Sequence, residues 1–95
     1  MRGFSPEQLL AIADEYCAFH GCQVRSFAAL AASAAVPGAR FHGVAVFDSV
    51  DAAAAALAET IRALQPLSGA NTGANAGFNT GFADVSAEVY RRWAE

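Results

Sequence analysis

The sequence predicts a mainly α-helical fold of three to four helices, interrupted by one short β-like flap. Three features point there. Serines stand immediately before segments whose apolar residues recur at helical spacing. Alanine, a strong helix former, dominates the middle of the chain. The one β-prone run, ARFHGVAVFDS, is too short to build a sheet of its own.

In chain order, Ser5-Pro6-Glu7-Gln8 is a helix start: Ser5 caps, Pro6 suits the first helical position, and Gln8 completes a capping box. Leu9, Ile12, Ala13, Tyr16 and Cys17 follow as an apolar stripe, and the helix should end near His20 with Gly21 as C-cap. A second helix is expected from the Ser26 cap through Phe27, Leu30 and Ala34, stopping before Pro37-Gly38. Phe41, Val44, Val46 and Phe47 surround Gly43 in the flap, read as an extended segment or small hairpin. Ser49 caps a third helix, Asp51 complements its dipole, and Pro66 ends it after Leu57, Ile61 and Leu64. A last helix is expected over Phe82 to Ala94, capped by Asn79 or Thr80, with Phe82, Val85, Val89 and Trp93 on its apolar face.

With 95 residues the chain is read as a single domain, 1–95, near the small end of what buries a self-sufficient core. Apolar residues make up 55% of it, but many are alanines that bury little area, which leaves a role for a partner or a homo-oligomer. The net charge of −3 offers no footprint for nucleic acid or an anionic membrane. MRGFSPEQ lacks the apolar run of a signal peptide and no segment is apolar enough to span a bilayer, so the expected location is cytoplasmic. Cys17 and Cys22 are too few for a disulfide framework and are not a CxxC pair; Cys17 reads as a reduced, buried side chain. Cys17-x-x-His20 is the nearest approach to metal-ligand spacing and lacks further ligands, so no metal is predicted. His20 reads as favourable charge at a helix C-terminus, and Glu59 with Arg62 as a solvated pair.

The stretch QPLSGANTGANAGFNTGF repeats Asn, small residue, Gly three times at a spacing of four, ahead of a helix. Glycine-rich turns at a helix N-terminus can hold anions. Yet Gln65 to Gly81 contains no charged residue, and the lysine of a Walker A loop is missing. On composition the stretch reads as a connector ahead of an anion cradle.

Three segments resemble the Fic/Doc family, the filamentation and death-on-curing proteins. FSPEQLLAIADEY is similar to the opening helix of Doc-like toxins, and ARFHGVAVFDS lies where that family has its flap. ALAETIRALQPLSGAN resembles the family's hallmark, a helix followed by His-Pro-Phe-x-Asp/Glu-Gly-Asn-Gly/Lys-Arg. The resemblance implies a helical nucleotidyl- or phosphotransferase fold from a bacterial or phage toxin–antitoxin setting, with ATP or another nucleotide as cofactor and an antitoxin-like or target protein as partner. It also implies a degenerate motif. Gln65 stands at the position of the catalytic His, and a glutamine has no usable basicity. Pro66 matches and Leu67 replaces the Phe. Gly69 stands where the metal-binding acid belongs, Ala70 replaces the first Gly, and Asn71 matches the phosphate-holding Asn. Thr72 and Gly73 fill the last two places, so the phosphate-binding Arg is gone, and the further Asn-x-Gly units read as inserted loop. His42 in the flap is the candidate substitute base and Arg40 the candidate phosphate contact. In that family the flap docks peptides by β-addition, which GVAVF could do, although a packed core segment is the simpler reading. Family members usually add C-terminal helices, so part of the last helix's face would want a partner. The reading is therefore a catalytically impaired Fic/Doc-like protein acting through partner or nucleotide binding. The alternatives are an all-helical interaction module with no nucleotide activity, and an active transferase using His42 or Gln65.

Overall fold

The computed structural model describes residues 2–69 and 75–95. Among these residues the fold is mainly α, with four helices and two small antiparallel pairings. Helix α1 (Pro6–His20) forms as its sequence dictates: Ser5 Oγ accepts from the Gln8 backbone N–H at 3.0 Å, and Gln8 Oε1 accepts from the Ser5 N–H at 2.8 Å. Gly21, at φ 73°, ends it by donating to the Cys17 carbonyl at 2.8 Å. Ser26 and Ser49 cap α2 (Phe27–Ala35) and α3 (Val50–Leu64) in the same way.

Strand β1 (Cys22–Val24) follows Gly21 at once. Between α2 and α3 the flap is a hairpin of β2 (Arg40–Phe41) and β3 (Val44–Ala45), pairing Arg40 with Ala45 and Phe41 with Val44. Its two-residue turn, His42-Gly43, holds both φ angles positive, at 52° and 80°, as a turn of that length demands. Strand β4 (Leu67–Gly69) follows α3 and pairs antiparallel with β1 in the register Cys22–Gly69, Gln23–Ser68, Val24–Leu67. This pairing has no counterpart in the sequence expectation. Three residues per strand show no periodicity, and the partners lie more than forty residues apart.

Helix α4 (Asn75–Ala94) begins seven residues before the expected Phe82. Thr80 and Asn79 are therefore helix interior and not caps, and the second and third Asn-x-Gly units open the helix and do not lengthen a loop. Glycine disfavours helix by about 1 kcal/mol relative to alanine. Tertiary packing overrides that cost, because a Cβ on Gly81 would run into the Tyr16 hydroxyl of α1.

Most of the core lies between α3 and α4, where buried Ala53, Ala54, Leu57, Ala58 and Ile61 face the buried stripe Phe82, Ala83, Ala87 and Tyr90. Small side chains on both helices allow close approach, while Leu9, Leu30 and Leu67 supply bulk from α1, α2 and β4. The stripe on α4 is not the expected one. Val85 and Val89 are 41% and 39% exposed, because the buried face follows Asn79, Phe82, Ser86 and Tyr90. The N-terminus closes over the end of α4. Phe4 packs edge-on against Tyr90, the Tyr90 hydroxyl donates to the Arg2 carbonyl at 2.6 Å, and the Arg2 guanidinium lies 4.3 Å from the centre of the Trp93 ring. Arg62 pairs with Asp84 of α4 at 3.7 Å and not with Glu59. Among the described residues no helix is long and apolar enough to cross a membrane.

Candidate functional site

The connection from α3 through β4 to α4 carries the residues that the resemblance singled out. Gln65 is the C-cap of α3, in the left-handed region at φ 49° and ψ 66°, and its N–H donates to the Ile61 carbonyl at 2.9 Å. Its own carbonyl accepts from Arg25 Nε at 3.1 Å and Nη2 at 2.6 Å. Arg25 Nη2 also reaches the Leu64 carbonyl at 3.3 Å. A guanidinium is thus set on the negative end of α3, where it satisfies carbonyls that the helix leaves open. The next carbonyl, of Pro66, accepts from the backbone N–H groups of Arg25 and Ser26 at 2.7 and 3.2 Å.

Pro66 and Leu67 are buried. Leu67 is held from the other side by Asn79: the amide Oδ1 accepts from the Leu67 N–H and Nδ2 donates to the Leu67 carbonyl, both at 3.0 Å. A side-chain amide therefore serves β4 as a second strand would. Gly69 ends the strand tight against the Phe78 ring, which a Cβ would overlap. Gly21, Cys22, Gln23, Ser68 and Gly69 line a small polar recess of about 190 Å³ beside it. Asn71, Thr72 and Gly73 lie outside the described residues.

The structure does not bring the flap candidates to the described residues of this connection. His42 sits at the exposed hairpin tip with its ring 4.3 Å from that of Phe41, and Arg40 Nη1 donates to the Gly43 carbonyl at 2.9 Å. The hairpin makes at most marginal contact with any other helix or strand. The packed-core reading of GVAVF fails for Val44 and Val46, which are 69% and 55% exposed, and holds for Phe47, which packs against the core. Among the described residues no group of three or more His, Cys, Asp or Glu side chains comes together.

A second feature lies between α1 and α4. Ile12, Glu15, Tyr16, Phe19 and His20 of α1, with Val85 and Val89 of α4, line an open, mostly apolar groove of about 470 Å³. His20 ends α1 as expected, and its ring lies 4.2 Å from that of Tyr16 and 5.6 Å from that of Phe19. Burial, with Cys22, Cys17 and Asp84 adding to it, raises the Tyr16 phenol above its ordinary range. Phe19, 88% exposed, is a groove residue that the sequence reading passed over. Its signal was present, since Phe19 stands seven residues after Ile12 and three after Tyr16 and so extends one edge of that stripe. Arg25 was missed as well, and Asn79 was read only as a candidate cap. Asn79 had a readable signal, standing three residues before Phe82 on one helical face, whereas nothing local marks Arg25 as a cap for a helix forty residues away. No protein-family model matches the chain, and no curated protein or solved structure matches it.

Proposed function

We propose that the chain is a Fic/Doc-like protein with a degenerate catalytic motif, acting by binding a partner protein or a nucleotide and not by group transfer. One observation carries this reading: the α3–β4–α4 connection. Its residues follow one another in the order of the motif they resemble, and the described ones, Gln65 to Gly69, serve structure. Gln65, at the position of the base, caps a helix and is tied through its carbonyl to Arg25. Pro66 and Leu67, at the two packing positions, are buried. Gly69, at the position of the acid, is packed against Phe78 and brings no carboxylate. A transfer reaction needs a base within hydrogen-bond reach of the attacking hydroxyl; a glutamine amide is no base, and His42 sits exposed at the hairpin tip against Phe41.

Calorimetry with ATP and Mg²⁺ on the full chain tests the nucleotide part. Binding that is abolished by Asn71→Ala supports a retained phosphate contact, whereas absence of binding at millimolar nucleotide removes nucleotide from the proposal and leaves protein recognition. Transfer of label from ATP to protein, surviving Gln65→Ala combined with His42→Ala, would defeat the claim of lost catalysis.

A second reading is an all-helical interaction module with no nucleotide relationship. The groove between α1 and α4 favours it, because Phe19, Val85 and Val89 expose apolar surface that a lone domain gains nothing by showing. Under that reading, Phe19→Glu abolishes partner binding while changes along Gln65–Gly69 that preserve the fold leave it intact.

A further inference from the structure

Two nucleophilic side chains take no part in the function proposed above, and the fold sets them against each other. Cys17 is on the inner face of α1, one turn before its end, and is 8% exposed. Cys22 opens β1. Between them Gly21 adopts the left-handed conformation at φ 73°, which turns the chain back on the helix it has just left. Cys22 Sγ consequently lies 2.9 Å from Cys17 Sγ, and both thiols are free. A sulfur–sulfur bond is about 2.05 Å long, so closing one here needs less than about 1 Å of approach. The pair also differs in access. Cys22 is half-buried and lines the polar recess with Gly21, Gln23, Ser68 and Gly69, whereas Cys17 stands behind it.

We propose that Cys17 and Cys22 are a covalent modification site that reduces a low-molecular-weight disulfide of the glutathione type and is closed by it to an intramolecular disulfide. Cys22 Sγ, as thiolate, attacks one sulfur of the small disulfide. A mixed disulfide forms on Cys22, and the first small thiolate leaves. Cys17 Sγ then gives up its proton to solvent or to that thiolate and attacks Cys22 Sγ. The Cys17–Cys22 bond forms and the second small thiolate departs. Two protein thiols lose two protons and two electrons, and one small disulfide becomes two thiols. The order of attack follows from placement, and protonation agrees with it. Burial first, then the contact with Cys22, then Asp14 on the same helix, push the Cys17 thiol up to about 12, so the buried sulfur carries its proton at neutral pH. Closure ties the end of α1 to β1 and, through the β1–β4 pairing, to the connection that precedes α4.

The test exposes the full chain to oxidised glutathione without oxygen, reading intact mass and free thiols. The wild type is expected to lose both thiols together, as a monomer lighter by two hydrogens and without retained glutathione. Cys17→Ser is expected to stop at one glutathione on Cys22. In Cys22→Ser the remaining thiol should react more slowly by about tenfold or more, as expected for a buried sulfur. If either serine variant fails to fold, the alanine variant replaces it. Closure of the wild type should also outrun closure in urea by about tenfold or more, because the fold holds the two sulfurs in place. Glutathione retained on the wild type, disulfide-linked dimers, unreacted thiols, or equal rates in folded and unfolded chain would each overturn the proposal.

Discussion

The α3–β4–α4 junction and the β2–β3 hairpin both contain residues that resemble parts of one catalytic motif, yet they are built in opposite ways. The junction is held by groups from distant parts of the chain: Arg25 on the end of α3, β1 along β4, and Asn79 across Leu67. The hairpin is held by itself, through a two-residue turn and a guanidinium bonded three residues away. The described part of the junction, Gln65 to Gly69, is thus partly or fully buried and bonded to distant segments, whereas the hairpin tip is exposed and bonded locally.

On that contrast, perturbing groups packed in the fold costs more stability than perturbing the hairpin. The largest effect is expected from pH. The folded Cys17 thiol is raised from its ordinary 9.0 to about 12, so between those values the unfolded chain sheds a proton that the folded chain keeps. Stability attributable to Cys17 is full below pH 9 and is lost as pH climbs toward 12. Tyr16 and Tyr90 are also raised by burial and add to the decline. Urea unfolding of wild type and Cys17→Ser across this range isolates the cysteine: the two stability curves should converge as pH rises, and parallel curves would refute it.

Next comes Asn79→Ala, which strips partners from the buried N–H and carbonyl of Leu67. Leaving such groups unsatisfied should lower unfolding free energy by about 3 kcal/mol. A loss below about 1 kcal/mol, the size of one ordinary hydrogen bond, would mean that β4 is not held from α4. Arg25→Ala removes the cap of α3 at an exposed position and should cost about 1 kcal/mol by the same measurement. The smallest effect belongs to the hairpin. His42→Asn puts a residue that tolerates positive φ into the turn and should stabilise by about 0.5 kcal/mol. A loss of stability there would show that the histidine is engaged elsewhere in the fold.

Much of this architecture can be read residue by residue. Ser5 with Gln8, Ser26, Ser49 and Gly21 mark helix ends because a cap is a contact between residues three or four apart, and such contacts are written in local order. The flap was legible for the same reason, as a turn signal between two β-prone pairs. The start of α4 was not. Its glycines and asparagines read locally as loop, and only packing of Gly81 on Tyr16 and of Asn79 on Leu67 makes helix the better state there. The candidate site was legible as a position and not as an environment: Gln65, Pro66 and Leu67 could be singled out, but their partner Arg25 could not.

By itself, then, the sequence determined the helical class, three of the four helix starts and the hairpin, since each depends on neighbours along the chain. The tertiary structure alone decided which face of α4 is buried, that β1 meets β4, that Cys17 meets Cys22 across a glycine turn, and that the apolar groove beside Phe19 stays open. These are contacts between elements, and their free energy comes from close packing and from satisfying buried polar groups. No local pattern reports either one before the chain has folded.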